Sequence, residues 1–168
     1  DMVSACMRRG QGFGVVGIVQ GREVGVAAER FAAVGCEAVI RDFQQRPNGL
    51  LGIRVEGVRR FQVEQVQVQA DQLTLADVTW LDEVADAPLL VAHADLAALL
   101  NALVEHPLVA GLGMGGPVSG QQALTNQLAY LLPFTVEQKL QALQLADPAQ
   151  RLAYIQSLLD QLQGEMIA

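Results

Sequence analysis

The sequence predicts an α+β protein whose first half is a sheet and whose second half is a helical bundle. Apolar residues recur with a period of two between about residues 12 and 80, and the period changes to that of helices from about Pro88. No alternation of strand and helix interrupts either part, so parallel βαβ units are not expected.

Residues 2–9 read as a short opening helix. The stretch 12–19 is continuously apolar and rich in glycine and β-branched residues, which suits a strand buried on both faces, with Gly10 and Gly21 as punctuation. From 34 to 43, Val34, Cys36, Ala38 and Ile40 alternate with Glu37, Arg41 and Phe43, the pattern of a strand with one buried face. A turn at 44–49 ends in Asn48-Gly49, both tolerant of positive φ, and the hairpin returns with Leu51, Ile53 and Val55 opposite Arg54 and Glu56. The apolar parity then slips from Phe61 and Val63 to Val66 and Val68, which predicts a β-bulge across Glu64-Gln65. A similar slip separates Leu73 and Leu75 from Val78 and Trp80 across Ala76-Asp77. Recurrent bulges curve a sheet, so a coiled, partly barrel-like lobe is expected. Gln62, Gln65, Gln67, Gln69 and Gln72 read as the uncharged solvent face of its strands.

Leu90, Leu96, Leu99, Leu100 and Leu103 outline a helix that stops at His106-Pro107. Residues 121–132 form another, ended by Pro133. Thr135 and Gln138 spell a capping box that starts a third, because the two side chains exchange hydrogen bonds with otherwise unpaired backbone N–H groups. Asp147-Pro148, an N-capping carboxylate before a proline, starts the last helix, with Leu152, Ile155, Leu159 and Leu162 on one face. The division is a β-rich lobe at 1–85 and a helical lobe at 86–168, joined through 81–87, where Asp82, Glu83 and Asp86 make an acidic, exposed connection.

The 168 residues carry a net charge of −7, unevenly placed: residues 1–70 hold nine arginines against seven acidic residues, and 71–168 hold one arginine and one lysine against eleven. The overall sign opposes phosphate attraction and argues against a general DNA or RNA binder, so no DNA partner is expected. No apolar run reaches the roughly 18 residues of a membrane span, so a soluble chain without membrane contact is expected. Cys6 and Cys36 make no disulfide framework, which points to a reducing, cytoplasmic setting. The opening residues lack a signal-peptide layout and read as a chain entered partway.

Residues 111–116 spell GxGxxG but follow a helix and Pro107, without the strand a dinucleotide fingerprint requires. The stretch 111–120 reads instead as a mobile Gly-rich loop whose apolar Leu112, Met114 and Val118 are candidate partner contacts; a plain flexible linker is the alternative. Ser119 is out of step with GxSxG, and no P-loop spelling occurs. His93 and His106 stand thirteen positions apart and match neither a metal pair nor a triad. Lys139 sits near a helix start among polar residues, and Cys6 beside Arg8 and Arg9 lacks a paired base. No catalytic residue, cofactor or metal is therefore expected. Arg41, Arg46, Arg54, Arg59 and Arg60 make the β lobe basic, with few aromatics to stack bases.

The run Pro47-Asn48-Gly49-Leu50-Leu51-Gly52-Ile53-Arg54-Val55-Glu56-Gly57-Val58-Arg59-Arg60-Phe61-Gln62-Val63 resembles the most characteristic stretch of the Lon protease N-terminal domain family. Its marks are Pro47, Asn48 and Gly49 before a strand, then Gly57, and Arg60-Phe61 opening the following segment. Residues 12–16 and 34–40 look like the family's two preceding blocks, with Cys36 where members usually carry threonine. Leu128-Ala129-Tyr130-Leu131-Leu132-Pro133 and the residues after it are similar to its closing helices. The family's opening strands are missing, as is anything like the Lon ATPase or its Ser-Lys peptidase. The resemblance implies a PUA-like β lobe with a helical bundle, acting as a stand-alone, non-enzymatic substrate-recognition domain. Expected partners are polypeptide segments or a protein, held in an apolar groove between the lobes, and a weak homo-oligomer is compatible with this. RNA binding through the arginines of a PUA-like lobe is the alternative reading, to be recognised by a contiguous basic face.

Overall fold

The structure, a computed structural model, describes residues 2–22, 25–28, 30–112, 114 and 118–167. Two units divide it, Asp1–Glu83 and Val84–Ala168.

In the first unit, helix α1 (Met2–Arg9) leads into strands β1 (Phe13–Gln20), β2 (Arg30–Gln45), β3 (Leu51–Val68) and β4 (Thr74–Trp80). They form an antiparallel sheet in chain order, β1-β2-β3-β4, which is curved but not closed. Directly paired residues point to the same face, so the register shows how the long strands turn their side chains. β3 carries the expected bulge: Val63 pairs with Val78 and Gln65 with Asp77, leaving Glu64 extra and placing Val66 and Val68 on the face of Phe61 and Val63. The second expected slip is absent. β4 runs in unbroken register from Thr74 to Trp80, so Leu75 lies on the face opposite Val78 and is exposed, and the bulge in β3 accounts for the Phe61–Val68 parity change alone.

Two further bulges interrupt the β2–β3 ladder. Between Glu37↔Arg59 and Ala38↔Gly57, β3 gains Val58, which moves the odd-numbered Leu51, Ile53 and Val55 to the face opposite Phe61. Between Ile40↔Val55 and Asp42↔Arg54, β2 gains Arg41. Phe43, expected beside Glu37 and Arg41, is thereby carried to the apolar face of Ile40 and pairs with Ile53. Arg54 and Glu56 occupy the other face, as the alternation predicts.

At the centre of the sheet the Phe61 ring is 3% exposed and lies over two glycines. A Cβ on Gly35 would stand 2.5 Å from the ring and one on Gly14 3.0 Å, so both strands need glycine there to admit the ring. Trp80 meets Phe61 edge to face at a centroid distance of 6.0 Å.

The β2–β3 and β3–β4 turns share one design. Gly49 N–H donates to Arg46 O (2.9 Å), Arg46 N–H to Leu50 O (2.8 Å) and Leu50 N–H to the Asn48 side chain (3.1 Å). Gln72, Gln69, Leu73 and Asp71 repeat these bonds in the same order. Asn48 and Gly49 both tolerate positive φ. Only Gly49 has it (+80°), because Pro47 takes the first turn position with its fixed negative φ and pushes the left-handed residue one place on. The equivalent residue of the second turn is Gln72, at φ +69°. Gly49→Ala is expected to cost about 1 kcal/mol, and Gln72→Gly to be stabilising by a similar or smaller amount, read as shifts in denaturation midpoint.

The second unit holds a short 3₁₀ turn at Val91–His93 and helices α2 (Ala94–Glu105), α3 (Pro107–Ala110), α4 (Gln121–Leu131), α5 (Val136–Gln144) and α6 (Pro148–Ile167). Leu96, Leu100, Leu124, Leu128, Leu132, Phe134, Ala142, Leu152, Ile155 and Leu158 make its core. Both predicted caps are present: Thr135 and Gln138 exchange bonds of 2.9 and 3.2 Å, and Asp147 accepts from Ala149 N–H at 2.9 Å. Helix α3 occupies a stretch expected to be irregular. His106 ends α2 and caps α3, its Nδ1 accepting from Leu108 N–H at 3.3 Å.

The connection 81–87 is acidic, but two of its carboxylates are engaged. Glu83 grips Arg60 through two bonds of 2.9 and 3.0 Å, and that arginine side chain is only 6% exposed. Asp86 accepts from Gln122 N–H at 2.8 Å, capping α4 in place of the side chain that Gly120 lacks; a Cβ on Gly120 would collide with this carboxylate.

Candidate functional site

The β2–β3 ladder ends at Val34↔Gln62, yet both strands continue. β2 runs back to Arg30 paired only with β1, and β3 runs on to Val68 paired only with β4. The sheet therefore splits, and each strand presents an inner edge to the opening. The opening is a hollow of about 420 Å³ lined by Phe31, Ala32 and Ala33 of β2, by Val63, Val66 and Val68 of β3, and by Ala28 ahead of β2. Among the described residues its lining side chains are all apolar. The Glu64 bulge brings Val63, Val66 and Val68 to one face, and Ala28 sits next to Ala27, whose N–H donates to the amide oxygen of Gln72 at 3.2 Å. Its side chains are apolar while backbone N–H and C=O groups make up the larger share of its open surface, so the space suits a polypeptide that offers both apolar side chains and backbone, and its volume falls in the usual range for binding pockets, about 300–1,000 Å³.

The charges around it are sharply divided. Beyond Arg60, the hairpin of β3 and β4 carries Glu64, Asp71 and Asp77, all exposed, with no lysine or arginine up to Glu83. On the β2 side one basic group, the exposed Arg30, stands beside Phe31 at the rim of the hollow, whereas Arg41, Arg59 and Arg60 lie toward the other end of the sheet and are matched with acids. Arg41 pairs with Glu56 at 2.6 Å and Arg59 with Glu37 at 2.7 Å, while the Arg59 guanidinium also lies 3.3 Å from the Trp80 ring centre. Arg60 is held by Glu83, so a contiguous basic face is interrupted by carboxylates.

Cys36 pairs with Arg60 across the sheet, and a Cβ on Gly57 would press on its sulfur at 3.0 Å. Burial pushes the Cys36 thiol above its ordinary pKa and the Glu83 charge adds to this, against the Val58 and Arg59 backbone N–H groups and the Arg60 charge. The folded state thus favours the protonated thiol. Its contribution to stability is full below the unfolded thiol pKa and is lost as pH rises through the folded one. Cys36 is expected to react with a disulfide reagent at pH 8 several-fold more slowly than in denaturant, the gap narrowing toward pH 10.

Of the loop side chains chosen from sequence, Leu112 is 44% exposed, Met114 is half-buried, and Val118 packs on the helical core. Gly113 and residues 115–117 lie outside the described residues. The motif residues play structural parts: Pro47, Asn48 and Gly49 build the hairpin turn, Gly57 clears space for Cys36, Arg60 holds Glu83, and Phe61 fills the sheet centre. The hollow itself escaped the sequence reading. Its signal was the length of β2 and β3, each longer than the ladder that joins them. Among the described residues no three His, Cys, Asp or Glu side chains gather as a metal site, and no helix is long and apolar enough to cross a membrane.

Similarity to known proteins follows the same outline. No curated protein matches the chain. Among solved structures it is similar to a Lon N-terminal domain protein from Xanthomonas campestris, at 31% identity and a TM-score of 0.73, covering 94% of this chain and 81% of that one. It also shares the fold of the N-terminal domain of the Mycobacterium avium complex Lon protease, at 20% identity and a TM-score of 0.51, covering 86% and 88%. The family model of the substrate-binding domain of the ATP-dependent protease La (Lon) matches residues 1–161, and the chain belongs to that family.

Proposed function

We propose that this protein binds polypeptide segments that expose apolar residues, as a recognition domain without ATPase or peptidase chemistry of its own. The observation that carries the reading is the hollow, lined by apolar side chains and open backbone, at the split of the sheet, in a chain whose family is that of a substrate-binding, non-catalytic domain. A partner held mainly by apolar contact over a small area should bind weakly and exchange quickly, as a domain that samples many substrates requires. The ion pairing of Arg41, Arg59 and Arg60 favours polypeptide over RNA, since a guanidinium already matched by a carboxylate gains less from a phosphate. Free Cys6 and Cys36 suit a reducing, cytoplasmic setting.

Titration calorimetry with a reduced, carboxymethylated protein that cannot fold tests this reading. Micromolar to sub-millimolar binding is expected, together with no binding of the same protein in its native, disulfide-intact form. Absence of binding to the unfolded form, with retention of structured RNA on a filter at low salt, would replace it with the RNA reading.

A further inference from the structure

We infer that the split of the sheet receives its ligand as an added strand: an extended polypeptide segment with alternating apolar residues and basic flanks. The inference rests on the polypeptide-binding reading and specifies its geometry.

A sheet edge is a row of backbone N–H and C=O groups that hydrogen-bond outward at alternate residues. Outer edges of sheets commonly meet water. Here the inner edge 63–68 of β3 and the irregular start of β2 at 30–33, where only Phe31 and Arg30 pair with β1, flank a hollow lined by apolar side chains and backbone, because the ladder that should join them stops at Val34↔Gln62. An added strand matches such an opening twice over. Its backbone supplies the missing ladder, and every second side chain enters the hollow among Phe31, Ala33, Val63, Val66 and Val68. The run at 63–68 is the longer of the two edges and, through the Glu64 bulge, presents three valines to the same side; it is the principal docking edge.

Charge selects the flanks of the ligand. Glu64, Asp71 and Asp77 are the exposed charges of the β3–β4 hairpin, with no basic residue between Arg60 and Glu83, so the principal docking edge is acidic; the exposed Arg30 is the one basic group on the β2 edge and is outnumbered by these three carboxylates. Lysine or arginine on either side of the apolar segment is attracted, and acidic flanks are repelled, with an effect that salt weakens.

The test uses fluorescence anisotropy of the whole protein with labelled ten-residue peptides that alternate valine and threonine between paired lysines. Three changes follow: N-methylation of alternate amides, glutamate in place of the lysines, and Ala33→Trp in the protein to fill the hollow from an exposed position, with circular dichroism as the check on folding. Each of the first and third is expected to weaken binding by about tenfold or more, and the glutamate flanks by about fivefold at low salt. Equal binding of the N-methylated and unmodified peptides overturns strand addition while leaving polypeptide binding intact. Unchanged affinity in folded Ala33→Trp places the ligand elsewhere and overturns the site. Should no peptide bind while the unfolded protein of the calorimetric experiment does, the inference fails alone; should neither bind, it fails with the reading beneath it.

Discussion

Glu83→Ala is expected to destabilise the β unit by about 3 kcal/mol or more, the scale on which a buried ion pair suffers when one partner is removed. The Arg60 side chain is 6% exposed and receives both carboxylate oxygens of Glu83, at 2.9 and 3.0 Å. Without Glu83 the guanidinium keeps its charge, because arginine does not deprotonate in proteins, and it loses its bidentate counter-ion. Arg60→Met paired with Glu83→Met should be far milder than either single change, since the charge and its partner leave together. Chemical denaturation of the four proteins measures this. Additive losses in the double variant would show that the two side chains act separately. The pair also ties the last residue of the first unit to β3, so a carboxylate that looks like linker in the sequence belongs to the sheet.

The second large effect concerns Phe61. Phe61→Ala should cost about 3–5 kcal/mol, the usual loss for truncating a buried aromatic side chain. Gly35→Ala should cost about 1–3 kcal/mol, because its Cβ would stand 2.5 Å from the ring and 2.8 Å from the Val15 carbonyl oxygen. The two losses should not add. With the ring gone, part of the Gly35→Ala clash goes with it, so the double variant is expected to be more stable than the sum predicts. Strict additivity in denaturation midpoints would mean that the carbonyl contact alone sets the cost at Gly35.

The elements that local chemistry dictates were legible. Helix starts at Thr135 and Asp147 follow from side chains that satisfy backbone N–H groups within the same turn, and the Glu64 bulge follows from a parity slip between apolar residues. What escaped depends on partners distant in sequence. The Val58 bulge leaves no gap in the alternation of its own strand, and the Arg41 bulge shows there only as Phe43 standing on what reads as the polar face; both become plain against the opposite register. Asp86 and Glu83 look like solvated charges until Gly120, 34 positions on, and Arg60, 23 positions back, are brought to them. The hollow is the extreme case, since it arises where a ladder stops. Val63, Val66 and Val68 read correctly as an inward face, but nothing local says that β2 turns away from them beyond Val34.

Hydrogen exchange of the whole protein with and without the reduced, carboxymethylated polypeptide tests the central claim most directly. Backbone amides at 63–68 and 30–33 should gain protection when the polypeptide is added, in proportion to the fraction bound, while the α4 and α6 core stays unchanged. Protection confined to the helical unit, or none at saturating polypeptide, would contradict the assignment of substrate binding to the split in the sheet.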